Sequence, residues 1–179
     1  MGIAGRKNGE SIPNPIRIVG SSVYLLLFSG HEAIVDIADY PAVKPFRWTL
    51  HRSKTKLYAA TRGFIGSGLP SVGSTLHRWL FRDIGEIDHK NGNGLDCRRL
   101  NLRPATRTQN NANRLKCGGS SRFKGVTWDR ARSKWKALIQ INGIVINLGR
   151  FRSEVNAAQA YNFAADELFG EFARFNSPC

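Results

Sequence analysis

The sequence predicts an α+β protein: a β-rich N-terminal region, a short hairpin-and-helix core over about residues 84–114, and a C-terminal three-stranded antiparallel sheet packed on one helix. Three observations lead there. Short runs of β-forming residues bounded by Gly, Asn, Asp or Pro fill the stretch from Arg17 to Thr61. A polar Asn-Gly turn stands between Asp88-His89 and Leu100-Asn101-Leu102-Arg103. Beyond residue 121, three alternating runs precede a stripe of small apolar residues at helical spacing.

Residues 1–15, with Gly, Asn and two Pro, read as an irregular N-terminal arm. Strands are expected at Arg17–Val19, Val23–Phe28 and Ala33–Ile37. Asp36 or Asp39 is placed to start a short helix around Pro41–Lys44. Trp48–Leu50 and Leu57–Thr61 form a hairpin around Arg52–Lys56. Gly63 to Gly73 is a loop; its Gly66-x-Gly68 lacks the strand-to-helix context of a phosphate cradle. Leu76, Trp79, Leu80 and Phe81 mark one face of a helix. Asn91-Gly92-Asn93-Gly94 makes a tight turn, Leu100–Arg103 returns as a strand, and Thr106 caps a helix carrying Gln109, Asn110 and Asn111. Residues 114–121 read as a linker. Phe123–Trp128, Trp135–Ile141 and Ile144–Leu148 are strands, the last two joined by the hairpin signal Asn142-Gly143. Ser153 opens a helix to about Phe169, with Ala157, Ala158, Ala160, Tyr161, Ala164, Ala165 and Leu168 on its apolar face and Gly170 at its end.

The chain has 179 residues and a formal net charge of +14, spread over its length rather than held in one tail. That excess favours a polyanionic partner, because each neutralised phosphate releases condensed counterions. Cys97, Cys117 and Cys179 form no C-x-x-C pair, which argues against a structural zinc site and a disulfide framework and fits a reducing cytoplasm. The longest apolar run, Val23 to Phe28, is far too short to cross a bilayer. No membrane partner is expected. Polar Asn14 and Arg17 interrupt any signal-peptide core.

Hydrolysis of a phosphodiester requires a base to activate water and positive charge at the leaving oxygen. Neutral imidazole at His89 suits the first task and the hard oxygens of Asp88 suit Mg²⁺ or Mn²⁺. A lone His is more often structural than catalytic. Here His89 stands with Asp88, Asn101, Arg103, Thr106 and Asn110, which chance does not readily assemble.

Those residues resemble the HNH endonucleases of the ββα-metal fold, specifically the phage and intron homing-type members, whose pattern runs D-H-x-x-G-N, N-L-R, T-x-x-x-N. The resemblance implies that His89 is the general base, that Asp88 and Asn110 hold one divalent ion, Mg²⁺ or Mn²⁺, and that Asn101 pins the loop and orients His89. The last position holds Asn110 rather than His, a change that keeps the role and weakens the metal ligand. Arg103 and Arg78 would meet phosphate; Leu76-His77-Arg78 also resembles the segment that precedes such cores, with His77 packing near the site. The nuclease domain would then cover residues 16–113. A single centre per chain predicts a monomer on double-stranded DNA that cuts one strand at a time, in the cytoplasm of a bacterial or phage-infected cell.

Lys124-Gly125-Val126, Lys134-Trp135, Leu148-Gly149-x-Phe151, Ala157-Ala158-x-Ala160-Tyr161, Ala164-Ala165, Gly170 and Phe175-Asn176 resemble an AP2-type DNA-binding domain over residues 122–177. Alternation turns Trp135, Ala137, Ile139 and Ile141 toward the helix. Lys136, Leu138, Gln140, Val145 and Asn147 take the outer face, joined by Lys124. Lys124, Lys136, Gln140 and Asn147 are therefore the expected DNA contacts. The plant members of that family carry Arg and Trp there, so their target sequence does not transfer. The functional expectation is a sequence-directed, metal-dependent DNA endonuclease. The alternative is a DNA-binding regulator with a vestigial nuclease centre.

Overall fold

The structure is a computed structural model and describes residues 13–61, 74–116 and 118–177. Gly66-x-Gly68, Cys117, Cys179 and most of the N-terminal arm lie outside the described residues. By its contacts the chain divides into two compact units, Met1–Arg103 and Pro104–Cys179. It is a mixed α and β protein with several small antiparallel sheets.

In the first unit, β1 (Ile16–Val19), β2 (Ser22–Leu26) and β3 (Glu32–Asp36) form an antiparallel sheet in that order. Alternation buries Val23, Leu25, Ala33 and Val35, the inner face. A 3₁₀ turn (Ile37–Asp39) leads into α1 (Tyr40–Val43). Neither Asp36 nor Asp39 caps it through its side chain. Both carboxylates instead accept from Arg99, Asp36 from the backbone N–H at 2.8 Å and Asp39 from Nη2 at 2.7 Å. That pairing competes with capping for the same oxygens.

The hairpin β4 (Thr49–Arg52) and β5 (Leu57–Ala60) follows, then α2 (Leu76–Leu80) and β6 (Ile87–His89). The expected return strand over 100–103 starts later than its sequence suggests. Arg99–Asn101 is a 3₁₀ turn, and β7 (Leu102–Pro104) pairs with β6. Asn101 gives its backbone carbonyl and its side chain to the loop it closes, which bends the chain before the strand begins. Trp48, Leu25, Leu76, Val23, Val35 and Val43 are almost fully buried and centre the core beside Ile87, Leu95 and Leu102.

In the second unit, α3 (Arg107–Ala112) opens with a capping box in which Thr106 accepts from the Gln109 N–H and the Gln109 side chain accepts from the Thr106 N–H. By contacts α3 belongs with the C-terminal elements, whereas the motif groups it with the nuclease core. β8 (Val126–Asp129), β9 (Lys134–Ile141) and β10 (Ile144–Phe151) form an antiparallel sheet with β9 central. Asn142 and Gly143, both at positive φ, make the hairpin turn. α4 (Glu154–Phe169) starts at Ser153, whose side chain accepts from the Asn156 N–H, and buries Ala157, Ala158, Tyr161 and Ala165. Leu168, expected on that face, is 39 % exposed, because the buried stripe stops at Ala165.

Small residues on α4 let the helix sit close to the sheet, and two motif residues have physical reasons. Asn176 accepts from the Lys124 N–H and donates to the Lys124 carbonyl, tying the C-terminal segment to the segment before β8. Gly125 has φ +73°, and a Cβ there would meet the Tyr161 ring and the Leu138 carbonyl. Gly125→Ala is therefore expected to lower stability by roughly 1–3 kcal/mol through overpacking. A thermal melt followed by circular dichroism checks it, and an unchanged midpoint would contradict the close fit.

Candidate active site

The site is built where the loop after β6 docks onto the first sheet. The Ile34 N–H donates to the Leu95 carbonyl and the Cys97 N–H donates to the Ile34 carbonyl, each at 2.8 Å, so residues 95–97 add to the β3 edge. Gly94 packs against β5, where a Cβ would lie 2.4 Å from the Leu57 carbonyl oxygen. Asn101 closes the loop from inside: Oδ1 accepts from the Asn91 N–H at 3.0 Å and Nδ2 donates to the Asp96 carbonyl at 2.7 Å. Its own carbonyl accepts from the Lys90 N–H at 2.8 Å. An amide is needed at this position because one side chain must both donate and accept.

The expected residues fall into two groups on β6, as strand alternation requires. Asp88 is fully buried and its Oδ2 accepts from Arg103 Nη2 at 2.9 Å and Nε at 3.1 Å. The expected metal ligand and the expected phosphate ligand are thus partners of each other here. His89 is 2 % exposed and lies among other side chains. The His77 ring centroid is 4.7 Å away, the Tyr58 centroid 6.0 Å, and the Cys97 Sγ 4.0 Å from its Nε2. Arg78 is exposed on α2. Asn110 stands half-buried in α3, in the second unit.

Burial sets the electrostatics. It lowers the pKa of His89 from 6.5 to about 4, with the nearby Lys56 charge acting in the same direction and Asp96 opposing it. Burial likewise lowers His77 to about 3, assisted by His89, Arg78 and Lys56. Burial pushes the Cys97 thiol well above its usual value. Both imidazoles are therefore neutral at pH 7.

A pH dependence follows. Between the folded values and 6.5 the unfolded chain binds more protons than the folded one, so stability is complete above pH 6.5 and falls as the pH drops toward 4. At roughly 1.4 kcal/mol per pH unit for each group, the fold is expected to be weaker at pH 4 than at pH 7 by roughly 3 kcal/mol for each of the two imidazoles. Urea midpoints across that range test it; a flat profile would mean that the imidazoles are solvated.

Several flanking cations are held in ion pairs while their side chains stay partly exposed. Arg98 Nη2 lies 2.7 Å from Asp96 Oδ2, and Arg99 Nη2 lies 2.7 Å from Asp39 Oδ1. In the second unit the Lys124 ammonium donates to the Asn111 carbonyl at 3.1 Å and to the Ala112 carbonyl, closing the C-terminus of α3. Lys136 pairs across the sheet with Arg150 and Thr127; Gln140 faces Val145, and Asn147 faces Leu138. Arg150 lies beyond the strand expected over Ile144–Leu148; a bulge between Asn147 and Gly149 shifts the register and sets it opposite Lys136 on that outer face, where it donates to Asp129 at 2.7 Å. Tyr58 and Cys97 were also missed. The sequence signal for Cys97 was its place in the turn that Asn101 closes.

Among known proteins, an uncharacterised HNH endonuclease of Acanthamoeba polyphaga mimivirus is 33 % identical over 185 residues, spanning 95 % of this chain and 89 % of that protein. No family model matches. No solved structure matches. At that identity over nearly the full length of both proteins, the chain belongs to the HNH endonuclease family.

Proposed function

We propose that the protein is a sequence-directed DNA endonuclease of the homing type in which His89 is the general base. The observation that carries this reading is the loop closed by Asn101, which fixes a neutral imidazole on β6 inside an HNH-type motif. His89 takes a proton from water, the water oxygen bonds to phosphorus, the bond from phosphorus to the 3′ oxygen breaks, and the departing 3′ oxyanion takes a proton from a second water molecule. The products are a 5′-phosphate and a 3′-hydroxyl. Asn101 holds the loop that positions His89. Arg103, released from Asp88, meets a phosphate oxygen, and Arg78 on the exposed side of α2 meets another.

HNH nucleases generally use a divalent metal, and we infer that it is Mg²⁺ or Mn²⁺ with Asp88 and Asn110 as its ligands, since a carboxylate oxygen and an amide oxygen are the hard donor types those ions take. Arg103 works against a cation at Asp88, since both compete for the same carboxylate. When bound, the ion supplies positive charge to the phosphate and the leaving oxygen. No structural zinc is required by this reading.

We read residues 16–113 as the nuclease domain, 114–121 as a linker and 122–177 as an AP2-type DNA-binding domain. Support for the last is the three-stranded sheet on α4 and the packing reasons for Gly125, Tyr161 and Asn176. Lys136, Gln140 and Asn147 on the outer face would contact double-stranded DNA; Lys124 would have to leave the α3 carbonyls to join them. If Gln140 and Asn147 read base edges, Gln140→Ala and Asn147→Ala each cost roughly 1–3 kcal/mol in target discrimination. Equal losses on target and random DNA in a competition assay would show that they touch only the backbone. The protein acts as a monomer, nicks rather than cuts both strands, and works in the cytoplasm. Among the described residues no helix is long and apolar enough to cross a membrane.

One observation favours the alternative, a DNA-binding regulator with a vestigial centre: at 2 % exposure His89 reaches a phosphate only if the side chains around it move. Incubation of supercoiled plasmid with and without Mg²⁺ separates the two. The endonuclease reading expects a metal-dependent nicked product, and binding without nicking would support the regulator.

A further inference from the structure

We propose that His77, His89 and Cys97 form a binding site for a soft divalent cation of the zinc type, and that filling it silences the nuclease by occupying the His89 imidazole. The second half rests on the reading of His89 as the base; the first does not.

The site is assembled from three separate elements: α2, β6 and the loop docked on β3. One ligand atom from each residue lies within 4.8 Å of the others. Tetrahedral zinc with N and S ligands at about 2.0–2.3 Å requires ligand atoms roughly 3.3–3.8 Å apart. The separation of Cys97 Sγ from His89 Nε2, 4.0 Å, is already close to that. All three side chains are buried, so the ligands need little more than a small contraction.

The donor set selects the metal. A thiolate and two imidazoles suit zinc and cobalt, whereas Mg²⁺ demands oxygen ligands. The hard oxygens of Asp88 and this soft trio are therefore chemically sorted. Three protein ligands leave a fourth position for water or another donor.

A second, independent observation points to a missing ligand. Nδ1 of His77 is buried without a hydrogen-bond partner among the described residues, in a side chain 8 % exposed. Buried polar nitrogens are ordinarily satisfied, and a coordination bond would satisfy this one. The charges around the site are mixed. Lys56 faces both imidazoles and Arg78 lies near His77, which oppose a cation. Asp96, beside Cys97 and close to His89, favours one. Loading also drives the thiol proton off.

The test is a titration of the metal-free full chain with Co²⁺, a spectroscopic stand-in for zinc. Wild type should show a thiolate-to-cobalt charge-transfer band and intense tetrahedral visible bands, both erased by added Zn²⁺. Cys97→Ser should lose the charge-transfer band, and His77→Gln should weaken binding about tenfold or more, equivalent to roughly 1.4 kcal/mol. A chain with Cys117→Ser and Cys179→Ser should keep the band. No band in wild type, or a band that survives Cys97→Ser, overturns the site. In the plasmid assay with Mg²⁺, Zn²⁺ should inhibit wild type and leave Cys97→Ser far less affected; equal inhibition overturns the silencing. A protein that never nicks would defeat the nuclease reading, while the cobalt spectra would still decide the site.

Discussion

Replacing Asp88 by alanine is expected to lower stability by roughly 3–5 kcal/mol, the cost of breaking a buried ion pair by removing one partner. The Asp88 side chain is fully buried and that of Arg103 is 10 % exposed, so the guanidinium that remains loses this carboxylate at a place where water does not readily replace it. The two N–H groups of Arg103 that meet Oδ2 make the contact a charge-assisted one with fixed geometry. Urea denaturation measures the effect. The double change Asp88→Leu with Arg103→Met should recover much of the loss, since replacing both charges removes the desolvation problem. It should not recover nicking, because Asp88 is proposed to hold the metal and Arg103 to meet a phosphate oxygen. A loss below about 1 kcal/mol for Asp88→Ala would place the pair among solvent-screened surface contacts, contrary to its burial.

Local signals carried most of the element order. The Asn142-Gly143 turn, the Ser153 cap and the alternation of Ala137 and Ile139 each act over a few residues, so they are legible without tertiary information. Elements whose form depends on distant partners were harder. Asp36 and Asp39 look like helix caps, yet Arg99, far along the chain, takes both carboxylates. The return strand to β6 begins after Asn101 because that residue spends its polar groups on the loop. The resemblance singled out Asp88, His89, Asn101 and Arg103, but no motif states that Asp88 and Arg103 pair with each other. Nor does it place Cys97 against His89. That contact exists because residues 95–97 dock on β3, a pairing between segments some sixty residues apart in sequence. Lys124 shows the same limit: alternation assigned it to the outer face, while its ammonium reaches the carbonyls of α3.

Replacing His89 by alanine is expected to reduce Mg²⁺-dependent nicking by about 10²–10⁴-fold, the usual worth of a positioned general base. Neutral above about pH 4, this imidazole accepts a proton across the physiological range, so the acid limb of kcat/KM should lie nearer pH 4 than 6.5. The C-terminal sheet lies outside this change, and DNA affinity should persist. The most direct measurement sets wild type and His89→Ala side by side on supercoiled plasmid with Mg²⁺, with DNA binding followed on the same preparations. Wild type should give nicked circles ending in 5′-phosphate and 3′-hydroxyl, and the variant should still bind and leave the plasmid intact. Equal nicking by both proteins would contradict His89 as the general base.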